Sequence, residues 1–184
     1  RASDGKTKRY VDKQGTVLAT PKVPIAVVLS QSKGVAVALK DVNGGNNVLW
    51  CATSYENTTA NTHATPNMDD ALNSQATSGI DETWNASYTT NAIPGEKVKG
   101  KNPDFPAFYA AAHYDPGVSY KGSPALIWYL PSLSDFKWVF SALGLGDKTT
   151  LTRARTVYEW YGHLADLAFT QVGGDRLRGW FHTS

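Results

Sequence analysis

The amino-acid sequence predicts an α+β fold: a small mixed or antiparallel sheet flanked by two or three helices, with a long irregular loop region. Two short runs rich in β-branched residues, 23–29 and 34–39, lie near the start of the chain. Helical patterns begin only after residue 103, and a short alternating segment, 178–183, follows them. Strands and helices that are grouped along the chain, and not alternating, are typical of α+β domains.

Length and composition set the domain organisation and exclude several classes of protein. The 184 residues suit one domain, with residues 1–22 as an N-terminal arm or hairpin and residues 23–184 as a single domain. A hydrophobic fraction of 41% and a charged fraction of 18% are those of a globular protein. The net charge of +2, without a run of basic residues, argues against a nucleic-acid partner. The apolar runs have the length of strands, so no direct membrane insertion of this segment is expected.

The two β-branched runs predict a pair of central strands. A polar segment of four residues, 30–33, separates them and has the composition of a turn. Both runs are too short for ordinary helices. We therefore expect residues 23–29 to pair with residues 34–39.

Residues 43–102 predict a loop insertion. All ten asparagines of the protein lie in this window, which has almost no apolar periodicity. Such a long stretch without a regular pattern is uncommon inside a compact domain and is typical of binding loops. A solvated insertion without any ligand is the alternative.

Helical signals follow the loop. A first helix is expected from Pro106 to His113, because proline is favoured in the first turn. A second is expected to begin at Ser132 as N-cap, with Asp135 in its first turn and an apolar face at i, i+3, i+4 and i+7. A third is expected over residues 153–171, ended by Gly173 and Gly174.

The chain shows no sequence pattern of an enzyme, so we expect a non-enzymatic protein. The four histidines have no metal-ligand spacing, and no nucleophile motif is present. Cys51 follows an apolar run and is expected to be a small buried hydrophobe. No metal or other cofactor is predicted. Calcium is the alternative: Asp69-Asp70 and Asp81-Glu82 could supply oxygen ligands, although acidic residues near Met68 also suit the start of a short helix.

Candidate binding residues lie inside the asparagine-rich window. Aromatic rings interleaved with amides and hydroxyls suit a binding surface, because the rings give area and the amides give adaptable hydrogen bonds. The alternative for the tryptophan of this group is that it fixes the loop onto the body of the domain. The predicted binding residues are Trp84, Asn85, Tyr88, Asn57 and Tyr55.

The segment Trp-Tyr-Leu-Pro-Ser-Leu-Ser-Asp-Phe at residues 128–136 resembles a motif of the Fibrobacter paralogous group. These bacterial surface domains are common in Bacteroidetes lipoproteins and pilus-tip proteins. The early Asp4-Gly5, the strand pair before Trp50, the alanine-rich first helix and the Gly-Gly segment at 173–174 are similar in the same order.

The resemblance implies a C-type-lectin-like fold and an extracellular location on the bacterial cell surface, in the outer membrane or a pilus. It implies an adhesion domain whose loops 43–102 recognise a host or bacterial surface glycan or protein. The chain lacks the carbohydrate-binding calcium triplets of true C-type lectins. It also stops where the family continues, so we expect an incomplete C-terminal edge at 178–183 that a partner strand covers. A structural assembly subunit is the alternative function.

Overall fold

In a computed structural model of the protein, the described residues are 23–55, 78–89, 93–132, 134, 135, 167 and 169–176. They form two strands, β1 (Ala26–Ser30) and β2 (Val35–Ala38), and two helices, α1 (Gly79–Trp84) and α2 (Pro106–Ala112). Short 3₁₀ turns at Val42–Gly45, Thr53–Tyr55, Ala86–Tyr88 and Lys99–Lys101 lie between them. This arrangement is loosely α+β, as the sequence predicts.

The β-branched runs form an antiparallel hairpin. Ala26 pairs with Ala38 and Val27 with Val37, and a bulge follows Val28. The turn closes where Gly34 adopts a φ of 64°, a left-handed conformation that glycine tolerates. The predicted strand pair is thus confirmed. Its first strand begins later than expected, after Pro24, which has no N–H for a ladder hydrogen bond.

A segment near the end of the chain is fixed to the hairpin. The main-chain N–H of Asp175 donates to the Leu39 carbonyl at 2.7 Å, and its carboxylate accepts from the Lys40 ammonium at 2.8 Å and from the Asp41 N–H at 3.1 Å. The hydrogen bond from Lys40 is the main cause that holds the pKa of Asp175 below its usual value. Residues 174–176 therefore lie against the end of β2.

Helix α2 supplies much of the hydrophobic core. It begins with Pro106 at its first position, and the buried side chains are on one face. The ring of Phe108 meets the ring of Trp50 edge-on, with centroids 4.9 Å apart. The buried cluster consists of Cys51, Ile93, Phe105, Ala107, Phe108, Ala111 and Leu130. The predictions of this helix and of a buried Cys51 are confirmed.

The window 43–102 contains more regular structure than its sequence indicates. Residues 79–84 form α1, so the expectation of an irregular loop is wrong there. An isolated helix of six residues is not stable in water. Its stability comes from contacts with other segments, which no periodicity within six residues reveals.

Two helix ends agree with the capping predictions. The Ser132 hydroxyl accepts from the N–H of Asp135 at 3.2 Å, as an N-cap does. Gly173, with a φ of 79°, follows the helical residues 169–171 and ends them. The arm 1–22, the bodies of the second and third predicted helices and the edge strand 178–183 lie outside the described residues.

Replacing Phe108 by Ala should lower the free energy of unfolding by about 3–5 kcal/mol, because the ring is fully buried between Trp50 and Phe105. Chemical denaturation measures this loss. Tyr109, the next residue of α2, is 37% exposed, and its replacement by Ala should cost less than about 1 kcal/mol. Equal losses in the two variants would mean that α2 presents a different face to the core.

Candidate binding surface

The candidate binding surface is the exposed turn Asn85–Ser87. A buried ion pair lies beneath it and forms its base. The Lys99 ammonium lies 2.9 Å from a Glu82 carboxylate oxygen, and the two side chains are 0% and 2% exposed. The same ammonium donates to the Tyr88 carbonyl at 2.7 Å. It also lies 5.3 Å from the ring centroid of Phe108 and 6.0 Å from that of Phe105, within the range of cation–π attraction. Desolvation lowers the pKa of Lys99, and the hydrogen bond and charge of Glu82 act against that change.

Three segments of the chain meet at this pair. Glu82 belongs to α1, Tyr88 to the turn Ala86–Tyr88 and Lys99 to the turn Lys99–Lys101. Gly100 lets them approach closely: a Cβ there would lie 2.9 Å from Thr83 Cγ2 and 3.0 Å from Ala112 Cβ. Both distances are too short for a side chain without movement of its neighbours.

The segment 128–135 holds α1 from its other side. The Thr83 hydroxyl donates to the Gly79 carbonyl at 2.8 Å and accepts from the Leu130 N–H at 3.2 Å. One Asp135 carboxylate oxygen accepts from the Gly79 N–H at 3.0 Å and from the Ser132 N–H at 2.9 Å. Residues of the segment 128–135 thus make the contacts that position α1.

Burial raises the pKa of one tyrosine in the segment 128–135. Tyr129 is half-buried, and desolvation, followed by the nearby Asp135 carboxylate, raises its pKa to about 12.

The predicted binding residue Trp84 makes an anchoring contact. Its indole N–H donates to the Trp128 carbonyl at 2.8 Å, and the residue is half-buried. This contact favours the alternative that Trp84 fixes the loop onto the body of the domain.

Asn85 follows Trp84 and lies at the exposed tip of the loop. Its side-chain oxygen accepts from the Ser87 N–H at 3.0 Å and from the Ser87 hydroxyl at 2.8 Å, which fixes the turn Ala86–Tyr88. Asn85, Ala86 and Ser87 are all exposed. Tyr88, half-buried, ends the turn, and its carbonyl is held by Lys99.

Tyr55, in another segment, contacts Phe105, one of the two rings that lie next to the Lys99 ammonium. Its ring stacks on Phe105 with centroids 5.8 Å apart, and its hydroxyl donates to the Asp104 carboxylate at 3.3 Å. Desolvation, followed by the charge and hydrogen bond of Asp104, raises the pKa of Tyr55. Asn57 lies outside the described residues.

Sequence reasoning did not identify Lys99, and it considered Glu82 only as a calcium ligand. They are 17 positions apart, a spacing that matches no helix or strand period. A charged residue in a polar window is usually solvated, so nothing in the sequence indicated that these two form a buried pair.

Two of the acidic residues considered for calcium, Asp81 and Glu82, lie among the described residues. Asp81 is half-buried on α1, and Glu82 is paired with Lys99. Among the residues described, no group of three or more His, Cys, Asp or Glu side chains is placed to hold a metal ion. Asp69 and Asp70 lie outside them.

Comparison of the chain with protein-family models, with curated proteins and with solved structures finds no match. The described helices include none with the length and apolar character needed to cross a membrane.

Replacing Lys99 by Met should destabilise the protein by about 3–5 kcal/mol, because the Glu82 carboxylate would stay buried without its ammonium partner. The double variant Lys99→Met, Glu82→Gln should lose less than the sum of the two single losses, since they remove one shared interaction. Denaturant unfolding of the four proteins measures the coupling. Additive losses would show that the two side chains do not form a pair.

Replacing Gly79 by Ala should destabilise the protein, although the same change inside a helix normally stabilises it by about 0.5–1 kcal/mol. The new Cβ would lie 2.6 Å from Ser132 N and would also clash with the Leu130 carbonyl, both of them main-chain atoms. Thermal unfolding measures the effect. A Gly79→Ala protein that melts higher than the wild type would contradict the packing of 128–135 on α1.

Proposed function

We propose that the protein is a non-enzymatic binding domain of the bacterial cell surface or a pilus, which recognises a glycan or protein through the loops of residues 43–102. The observation that supports this proposal is the exposed tip Asn85–Ser87 on a buried base. The tip presents an amide and a hydroxyl, and the ion pair of Lys99 and Glu82 lies beneath it.

A rigid loop is well suited to binding. Ordering a flexible loop costs conformational entropy that reduces the affinity for a ligand. Here Trp84 anchors one side of the tip through Trp128, and Tyr88 anchors the other through Lys99. Most of that ordering is already present before a ligand arrives.

The chemistry of the tip suits a polar partner. The Asn85 side-chain oxygen is occupied by Ser87, so its NH₂ group faces a ligand as a donor. Amides and hydroxyls are adaptable hydrogen-bonding groups. Glycan hydroxyls and main-chain carbonyls of a protein partner both accept such a donor.

The variant Asn85→Asp tests the proposal. Asp keeps the oxygen that caps Ser87 but removes the NH₂ donor, so binding should weaken at least about tenfold with the melting temperature unchanged. The measurement is binding of the wild type and the variant to glycan arrays, to surface-protein arrays and to whole cells, followed by titration of the best ligand.

The matched control is Gln31→Glu, the same amide-to-acid change at the exposed hairpin turn outside residues 43–102, which should bind as the wild type does. Equal binding by Asn85→Asp would exclude the tip as the site. A wild-type chain that binds no ligand on any array or cell would contradict the binding function and favour the assembly subunit.

A further inference from the structure

We propose that the peptide bond between Lys121 and Gly122 is a cleavage site for a lysine-specific endoprotease, and that the cut chain stays assembled as two polypeptides. The inference goes beyond the proposed binding function and does not depend on it. It concerns the segment 117–127, which lies between α2 and the segment 128–135.

The segment 117–127 is accessible along its whole length. Every one of its residues is exposed, and it contains neither helix nor strand. No main-chain group of residues 118–127 is hydrogen-bonded to another residue that the structure describes. An endoprotease binds its substrate in an extended conformation through such main-chain groups, as in the addition of a strand to a sheet edge. Exposed loops of this kind are the preferred sites of proteolytic cleavage.

Lys121 is the residue of this segment that a protease with an acidic recognition pocket selects. It is the only charged residue from Pro116 to Ile127, and its ammonium makes no ion pair with another described residue. Hydrolysis breaks the bond between the Lys121 carbonyl carbon and the Gly122 nitrogen. The water that is added leaves a carboxylate on Lys121 and an ammonium group on Gly122.

The described residues include two further Lys–Gly bonds, and the structure protects both. Lys33 and Gly34 close the tight turn between β1 and β2, where the Gly34 N–H donates to the Gln31 carbonyl at 3.2 Å. The hairpin would have to open before this bond could enter a protease cleft. Lys99 and Gly100 are buried. The three bonds therefore join the same two residue types in three different environments, and only the bond in 117–127 is open to a protease.

Contacts across the cut hold the two polypeptides together. The Trp84 indole N–H donates to the Trp128 carbonyl, and the Leu130 N–H donates to the Thr83 hydroxyl. Leu130 also belongs to the buried hydrophobic cluster, and the segment 174–176 is fixed to the end of β2. Each of these contacts joins a residue before the cut to a residue after it. The segment 117–127 provides none of them, so cleavage leaves them in place.

The test is a time course of the full chain with a lysine-specific endoprotease, in which mass spectrometry follows the three Lys–Gly bonds. Cleavage after Lys121 should be at least about tenfold faster than cleavage after Lys33 or Lys99, because those two bonds require local unfolding first. Lys121→Gln should abolish the cut at this position without a change in melting temperature. The matched change Lys101→Gln, at another exposed lysine, should leave the rate of cleavage after Lys121 unchanged.

Gel filtration of the cut protein tests the second half of the proposal. The polypeptides 1–121 and 122–184 should elute together in native buffer and separate in denaturant. Separation in native buffer would show that the contacts across the cut do not hold the cut chain together. Cleavage after Lys33 or Lys99 that is as fast as cleavage after Lys121 overturns the assignment of the site, and so does a bond after Lys121 that stays intact.

Discussion

A buried lysine constrains this part of the protein more than any other feature. An ammonium group without water must be paired and hydrogen-bonded, because its desolvation costs several kcal/mol, of the order of the stability of a whole domain. Glu82, the Tyr88 carbonyl and two phenylalanine rings surround Lys99 and supply that compensation. α1, the loop tip and the turn Lys99–Lys101 therefore have to meet over α2. The conformation of this polar loop thus depends on the buried Lys99 ammonium, although a lysine in such a sequence is normally exposed to solvent.

The segment 128–135 completes this arrangement through two main-chain groups and one carboxylate. The Trp128 carbonyl and the Leu130 N–H hold the side chains of Trp84 and Thr83, and Asp135 holds the first N–H of α1. Side chains that bond to main-chain atoms fix position without requiring a particular residue in the partner segment. Gly79 is required in addition, since 128–135 passes too close for a Cβ. A six-residue helix is thus stabilised at its start, middle and end.

The sequence predicts the local features well and the long-range ones poorly. The hairpin, the start of α2 at Pro106, the Ser132 cap and the end at Gly173 depend on residues within one or two turns of each other, and each is found near its expected position. α1 and the ion pair depend on contacts across 17 to 56 positions, which no local period encodes. The predicted binding residues show the same difference between local and long-range features. Asn85 lies exposed as expected, whereas Trp84 is held by a residue 44 positions away.

Helix α2 has one face in the hydrophobic core and one face exposed to solvent. Phe108 packs beneath Lys99 and against Trp50, while its neighbour Tyr109 faces outward and stacks on His113. Residues 42–49 contact the same helix: the Leu49 carbonyl accepts from the Ala107 N–H, and the turn Val42–Gly45 packs against the helix. Lys40 and the Asp41 N–H also bind Asp175, so the segment 174–176 lies between the end of β2 and the turn Val42–Gly45. The Lys40 pair is half-exposed and contributes little stability by itself. Its effect is to fix the segment 174–176 beside the end of β2.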